Sequence, residues 1–368
     1  MEKILISLIS DQTIPNVLLI RELSEIDRYI FITTARMESQ KKSDWIIDAA
    51  QIPENKYLKV EVVEDSLANI QENLRKIDFE DDDEFYVNLT GGTKIMSIGV
   101  YNFFRQRRSE IYYIPIGKNV YRKIFPEVKN RENPIYYRAG FEEYLKSYGI
   151  KIINPKNGKK LVKTADYTNS FYQKIQHLDT DELGIINDLR KFRNEKTIAV
   201  NEIAGLDSFL DKVEFPQNTS ANLGKNEIKY LTGEWFEEYV YTLIQKALNL
   251  DDDFIGLNIN IRRNEVDNEF DVMFTIENAL HVIECKSFIY DSISGKNILN
   301  ESLYKLAALK KDFGLYVKSY IFTLSDRGTD RDNVKQSFID RSNLLDIKII
   351  DKTFLENEFD EFINKIRG

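Results

Sequence analysis

Short apolar runs alternate with amphipathic stretches along the first third of the chain. The apolar runs predict five strands, at Ile4–Ser10, Tyr29–Thr34, Tyr57–Val63, Phe85–Thr90 and Ile111–Ile116. Helical patterns begin between them, near Pro15, Glu38, Ser66 and Thr93. Continuously apolar strands that alternate with helices are typical of a parallel sheet covered on both faces. The pattern predicts a Rossmann-like α/β domain over residues 1–140, with ligands bound at the carboxyl ends of its strands.

A second α/β pattern occupies residues 226–368. Its predicted strands are Leu257–Arg262, Glu269–Ile276, Leu280–Phe288 and Leu315–Thr323, and its predicted helices are Gly233–Ala247, Leu299–Lys311 and Glu356–Ile366. Residues 141–225 show one clear helical pattern, around Asp181–Lys196. We expect this middle segment to be a linker with a small helical element.

Composition narrows the class of protein. A chain of 368 residues is too long for one ordinary core, so two domains are expected. The net charge of -9 argues against nonspecific binding to duplex nucleic acid, although clustered carboxylates that hold metal ions also make a chain acidic. The single cysteine, Cys285, excludes an intramolecular disulfide. With no apolar run long enough for a bilayer, we expect a cytoplasmic protein without a membrane partner.

Charged residues interrupt the apolar strands of the second domain. If Glu277-Asn278 forms a two-residue hairpin loop, Asp271 lies opposite Glu284, and Glu269 lies opposite Lys286. A longer loop would shift this register. Two facing carboxylates repel each other unless a cation lies between them, and Mg²⁺ or Mn²⁺ are the natural oxygen-seeking candidates. The alternative is an ordinary surface ion pair, which the flanking apolar runs disfavour.

The segment Asn88–Ser97 joins a predicted strand to a predicted helix. Its Gly91 and Gly92 allow close backbone approach to an anion, and the following helix N-terminus offers free N–H groups. Thr93 and Lys94 add a hydroxyl and a point charge. These features suit a phosphate, although a tight turn with a helix cap would use the same residues.

The spacing Asp271-x12-Glu284-Cys285-Lys286 resembles the core motif of the PD-(D/E)XK, or restriction-endonuclease-like, superfamily. The resemblance implies a metal-dependent nuclease in which Asp271, Glu284 and the Cys285 carbonyl bind the metal and Lys286 is catalytic. It also implies a further acidic residue on the preceding helix, for which Glu237 is preferred over Glu234 and Glu238. Lys305, on the helix after the motif, is expected to be solvated rather than bound to a phosphate.

The first domain resembles the CRISPR-associated Rossmann fold (CARF) sensor domains, through the loop at Asn88–Ser97 together with Ser10–Asn16 and Pro115–Lys118. In that family these loops bind a cyclic oligoadenylate across a two-fold dimer. The resemblance makes these residues candidates for ligand binding: Ser10, Gln12, Asn16, Thr90, Gly91, Gly92, Thr93, Lys94, Met96, Pro115 and Gly117.

Together the two motifs resemble the CARF–nuclease fusions that serve type III CRISPR systems as ancillary effectors. This resemblance implies a homodimer, cyclic tetra-adenylate as the activator, single-stranded DNA or RNA as the substrate, and Mn²⁺ or Mg²⁺ as the cofactor. Two alternatives remain open at the level of sequence. One is a ligand-responsive regulator that binds nucleic acid without catalysis, and the other is a restriction-like DNase that needs no ligand.

Overall fold

The computed structural model describes residues 1–129, 131–154, 158, 160–216, 221–263, 265–287, 298–328 and 334–367. This part of the chain contains two large mixed β-sheets, one of seven strands and one of six. None of its helices is long and apolar enough to cross a membrane.

The first sheet confirms the predicted Rossmann-like domain. Its strands are β1 (Lys3–Leu8), β2 (Arg28–Thr33), β3 (Tyr57–Glu61), β4 (Glu84–Asn88), β5 (Ser109–Tyr113), β6 (Val120–Phe125) and β7 (Glu132–Pro134), in the order β3-β2-β1-β4-β5-β6-β7. The first five are parallel, as predicted, whereas β6 and β7 extend the sheet as antiparallel strands that the apolar pattern did not reveal.

Helices cover both faces of this sheet. They are α1 (Ile14–Glu22), α2 (Ala35–Ser39), α3 (Lys42–Ala50), α4 (Leu67–Arg75) and α5 (Lys94–Phe104). Alternate residues of β1 enter different apolar clusters, with Leu5 on one face and Ile4 and Ile6 on the other. Burial on both faces explains why the strands are continuously apolar in the sequence.

The middle segment is folded rather than a linker with a small helical element. Its elements are α6 (Phe141–Ser147), β8 (Lys151–Ile152), α7 (Ala165–Ile175), α8 (Thr180–Arg190), β9 (Thr197–Ala199), α9 (Leu206–Lys212), β10 (Asn222–Gly224) and α10 (Lys225–Lys229). Phe171 and Leu189 from this segment share an apolar cluster with Trp235 and Phe274 of the second domain. The helical pattern near Asp181 therefore belongs to a larger folded segment, which packs against the second domain.

The second sheet carries the charged residues singled out above. Its elements are α11 (Trp235–Leu248), β11 (Ile255–Arg263), β12 (Val266–Ile276), β13 (Ala279–Lys286), α12 (Ile298–Lys310), β14 (Val317–Thr323), α13 (Gln336–Leu344), β15 (Ile347–Ile350), α14 (Lys352–Asn357) and α15 (Phe359–Arg367). The strand order is β15-β14-β13-β12-β11-β8. A π-helical turn over Tyr230–Glu234 precedes α11. The predicted strand end at Phe288 lies outside the described residues.

Helix α6 joins the two domains. It packs against α1 and α3 of the first domain and against β12 of the second. One apolar cluster consequently runs from Leu5 and Val17 through Tyr144 to Phe270 and Ile321. The two sheets are therefore parts of one continuously packed structure.

Candidate active site and ligand-binding loops

The β12–β13 hairpin has the two-residue loop predicted from the sequence. Glu277 and Asn278 both have positive φ angles, of 49° and 57°, which suit the tight turn of a right-twisted hairpin. Pairing runs from Ile276↔Ala279 to Val272↔Ile283. This pairing confirms the predicted two-residue loop and its register over Val272–Ile276, but it does not extend to the predicted pairs Asp271–Glu284 and Glu269–Lys286.

The two strands part immediately beyond Val272 and Ile283. The Cys285 N–H donates to the Asp271 carboxylate, at 2.6 Å between N and Oδ2, instead of to a backbone carbonyl of β12. On its other side β13 continues in parallel pairing with β14, where Glu284 faces Ile321. Asp271 thus lies at the point where β12 and β13 separate beyond Val272 and Ile283, hereafter the fork. The Cys285 side chain packs in the apolar cluster on the opposite face, as predicted.

Two lysines converge on the buried carboxylates at this fork. Asp271 is 8% exposed and Glu284 is 2% exposed. The Lys286 Nζ lies 3.3 Å from Asp271 Oδ2 and 3.2 Å from Glu284 Oε2. Lys305 of α12 pairs with the other oxygen of Glu284 and donates to the Glu269 carbonyl. The expectation that Lys305 is solvated is therefore wrong.

The three glutamates around the start of α11 have different surroundings. Glu238 is buried and accepts a hydrogen bond from the Val162 N–H, at 2.8 Å, so it holds the middle segment in place. Glu234 forms ion pairs with Arg193 and Lys229. Glu237 interacts electrostatically with Asp271 and Lys286 at the fork. Of the three, Glu237 is the one placed to act with the hairpin residues.

Negative charge is concentrated at this site. Burial, followed by the charge of Asp271, raises the pKa of Glu237 to about 8 and also raises the pKa of Glu284. Burial opposes protonation of Lys286, but Asp271, Glu284 and Glu237 outweigh it and raise the lysine's pKa. Lys286 is therefore a permanent cation here, suited to stabilising charge and unsuited to taking up a proton.

The donor set fits a hard divalent cation. Asp271 and Glu284 present carboxylate oxygens at the fork, and Cys285, whose carbonyl is the third predicted ligand, lies between Glu284 and Lys286 in the chain. Among the described residues, no group of three or more His, Cys, Asp or Glu side chains is close enough together to hold a metal ion. Mg²⁺ commonly uses one or two carboxylates and completes its shell with other oxygens. The remaining ligands would therefore come from backbone, amide or water oxygens.

The predicted ligand loops of the first domain meet at the carboxyl ends of β1 and β4. A side chain on Gly91 would place its Cβ 2.3 Å from the Leu8 carbonyl oxygen and 3.1 Å from Ser10 Oγ. Gly92 has a φ of 73°. Thr93 caps α5 by accepting from the Met96 N–H, and Lys94 is exposed in the first turn. The Thr93 hydroxyl also donates to the Glu64 carbonyl at 2.7 Å, so the loop presents the Lys94 side chain outward at a helix N-terminus.

Three other predicted ligand residues have partners within the fold. Asn16 is 1% exposed, donates to the Leu8 carbonyl and accepts from Asn88. Met96 is buried in the apolar cluster under α5. The Thr90 hydroxyl accepts from the Ile114 N–H at 2.8 Å. These side chains position the loops.

Two further predicted ligand residues touch the second domain. Gln12 Oε1 accepts from the Leu315 N–H at 2.9 Å and from the Tyr148 hydroxyl at 3.2 Å. The Gly117 carbonyl accepts from the Tyr316 hydroxyl at 3.0 Å. Leu315 and Tyr316 lead directly into β14, which pairs with the strand that carries Glu284. Pro115, two residues before Gly117, is half-buried.

Fold and site together define a two-domain α/β protein in which a Rossmann-like domain is packed against a domain with a buried carboxylate–lysine centre. The family model of the Card1 CARF domain matches residues 4–144, and the model of the Card1-like endonuclease domain matches residues 224–358. The chain therefore belongs to the fusions of a CARF domain with a Card1-like endonuclease domain.

Solved structures share this architecture over the whole chain. Can2 from Sulfobacillus thermosulfidooxidans, in complex with cyclic tetra-adenylate, is 23% identical, with a TM-score of 0.74 over 98% of this chain and 99% of that chain. Protein VC1899 from Vibrio cholerae is 17% identical, with a TM-score of 0.75 over 99% of this chain and 98% of that chain.

A type III CRISPR defence DNA nuclease activated by cyclic oligoadenylate is 15% identical, with a TM-score of 0.55 over 89% of this chain and 46% of that chain. No functionally curated protein matches the sequence.

Proposed function

We propose that this protein is a metal-dependent endonuclease, activated by a cyclic oligoadenylate, that cleaves single-stranded DNA or RNA in type III CRISPR antiviral defence. Cyclic tetra-adenylate is the proposed activator, Mn²⁺ or Mg²⁺ the cofactor, and a cytoplasmic homodimer the working form. The two family models support this proposal, as does the fold shared with Can2, whose structure contains cyclic tetra-adenylate.

In the nuclease site, Asp271, Glu284 and the Cys285 carbonyl would hold the divalent cation. A cation bound there supplies an activated water and stabilises negative charge on the phosphodiester. Lys286 stays protonated and stabilises the charge that develops on the phosphate. Glu237 would face the bound cation. Burial, followed by the charge of Asp271, raises its pKa to about 8, and a divalent cation would offset both effects.

In the sensor domain, the loop at Gly91–Lys94 would bind a phosphate of the activator. The N–H groups at the start of α5 and the exposed ammonium of Lys94 both favour an anion. A symmetric ring suits the two-fold axis of a homodimer, in which both protomers offer the same loop. Activation requires the ring to bind the cleavage-competent arrangement more tightly than the idle one.

The observation that carries the nuclease proposal is the fork at Asp271. Burying two carboxylates side by side in apolar strands is unfavourable unless cations accompany them, and here Lys286 and Lys305 both converge on Glu284. Such an arrangement suits metal-dependent phosphodiester hydrolysis, in which a metal site lies next to fixed positive charge.

The testing experiment measures cleavage of labelled single-stranded DNA and RNA with Mn²⁺ or Mg²⁺, with and without cyclic tetra-adenylate. Glu284→Gln keeps the size of the side chain and removes its charge. Glu361→Gln, at an exposed ion pair on α15, is the matched control. We expect ligand-dependent cleavage by the wild type and the control, and a loss of at least a hundredfold in Glu284→Gln.

Other outcomes identify the alternatives. Cleavage at the full rate without the ligand would leave a restriction-like nuclease whose first domain does not act as a sensor. Tight binding of the ligand with no cleavage of either substrate would leave a regulator that binds nucleic acid, and the nuclease proposal would fall.

A further inference from the structure

Asn258 interrupts β11 directly opposite Asp271. The neighbouring pairs Leu257↔Val272 and Ile259↔Phe270 are formed, but no pair joins the two residues between them. Asn258 has a φ of 51°, in the left-handed region that asparagine tolerates better than most residues do. The strand is therefore locally irregular at the position that faces the metal-site aspartate.

Two other asparagines fix this irregular backbone. The Asn258 carbonyl accepts from Asn154 Nδ2 at 2.6 Å and from Asn260 Nδ2 at 3.4 Å. Asn154 also accepts from the Asn260 N–H at 3.0 Å. Because the middle segment supplies Asn154, the tertiary structure holds Asn258 in place from outside its own strand.

The Asn258 side chain connects to Glu237. It is 6% exposed, and its amide acts to lower the pKa of the Glu237 carboxyl, against burial and the charge of Asp271, which raise that pKa more strongly. Its Oδ1 is buried without a hydrogen-bond partner among the described residues. A buried carboxamide oxygen without a partner is unfavourable, so its presence points to a ligand that donates a hydrogen bond.

Solvent and substrate have a route to this position. Asn258 lines an open cleft of about 1020 Å³, whose wall also includes Lys229, Glu234 and Glu269. The Glu269 carbonyl is held by Lys305, which pairs with Glu284 at the fork. The cleft therefore gives solvent access to Asn258, which lies on the strand next to Asp271.

We propose that Asn258 is a positioning residue of the cation site: its amide holds Glu237 toward Asp271, and its Oδ1 accepts a hydrogen bond from a water molecule bound to the divalent cation. This inference rests on the proposed nuclease function. It also accounts for the incomplete set of acidic ligands at the fork, since hydrated divalent cations depend on oriented acceptors around their waters.

The test uses a pair of matched glycine variants in the full-length protein. Asn258→Gly removes the side chain and suits the positive φ, so the strand can keep its course. Asn249→Gly makes the same change at the C-terminal cap of α11, where Asn249 has a φ of 52°, away from the fork. Mn²⁺ binding is measured by electron paramagnetic resonance without nucleic acid.

We expect Asn258→Gly to weaken Mn²⁺ binding at least tenfold, and Asn249→Gly to leave it within twofold of the wild type. Cleavage by Asn258→Gly should recover when the Mn²⁺ concentration is raised, because the ligands themselves remain. In a Glu237→Gln background, Asn258→Gly should add less than its effect in the wild type, since both residues act on the same site.

Unchanged Mn²⁺ affinity in Asn258→Gly, with the wild type binding Mn²⁺, would overturn the role of Asn258 and leave the nuclease proposal intact. Equal weakening in both glycine variants would also overturn it, because the effect would then be a general one on the fold. Failure of the wild type to bind Mn²⁺ at all would overturn both proposals together.

Discussion

Lys286 and Lys305 neutralise the same buried glutamate from two different elements. Lys286 follows Glu284 by two residues on β13, whereas Lys305 reaches it from α12 and also lies 5.0 Å from the centre of the Phe270 ring. The side chain of Lys305 is about one third exposed, so it can meet a phosphate that approaches the fork. At the scale of single residues, Lys286 and Lys305 are therefore the two candidates for contact with a phosphate at this site.

This placement predicts a catalytic defect in Lys305→Met, which keeps the aliphatic stem and removes the charge. We expect ligand-activated cleavage to fall about a hundredfold, because a cation next to the developing charge contributes mainly in the transition state. Lys310→Met is the control, since Lys310 lies on the same helix and pairs with Asp346 away from the fork. Full activity of Lys305→Met would show that Lys305 has only a structural role, as the ion-pair partner of Glu284.

The loop between β4 and α5 shows how one element depends on close backbone packing. Gly91 lies against the end of β1, where any side chain would meet the Leu8 carbonyl. Main-chain atoms cannot rotate away as a flexible side chain can, so the loop itself would have to move. That movement would shift Thr93 and the outward-facing Lys94 at the helix N-terminus.

Gly91→Ala is accordingly expected to lower the free energy of unfolding by about 1–3 kcal/mol and to weaken binding of cyclic tetra-adenylate. Gly184→Ala is the matched control, because Gly184 lies inside α8 with no atoms near the added Cβ. Alanine there should raise stability by about 0.5–1 kcal/mol through its higher helix propensity. Urea unfolding and calorimetric titration measure both effects, and wild-type binding by Gly91→Ala would contradict the role given to this loop.

Across the whole molecule, the predicted ligand loops of the first domain contact the second domain directly. Gln12 and Gly117 of the first domain bond to Leu315 and Tyr316, just before β14 begins. Residues of β14 then pair in register with β13, including Ile321 opposite Glu284 and Thr323 opposite Lys286. A single strand, β14, therefore connects the predicted ligand loops to the fork.

Tyr316→Phe tests this connection by removing the hydroxyl that bonds to Gly117. We expect the ratio of cleavage rates with and without the activator to fall about tenfold, within the usual range of coupling free energies between sites. Activator binding should remain. Tyr136→Phe, at a residue that is 78% exposed, controls for loss of a tyrosine hydroxyl. An unchanged ratio in Tyr316→Phe would show that activation bypasses this contact.

The sequence by itself determined the parallel direction of the first five strands and the register of the hairpin next to its turn. Both follow from local rules. Strands that are buried on both faces are continuously apolar. A two-residue turn fixes which residues face each other, and side chains alternate between the two faces along each strand. The same register predicts that Asp271, Glu284 and Lys286 lie near one another, and they do, although β12 and β13 separate before these residues pair.

Only the tertiary structure decided the positions of Lys305, Asn258, Gln12 and the middle segment. Lys305 meets Glu284 across 21 residues, and Gln12 meets Leu315 across 303 residues. Asn258 depends on an irregular backbone held by Asn154, which belongs to another segment. Such contacts arise from how packed elements meet in space, and neither periodicity nor spacing along the chain encodes where distant elements will touch.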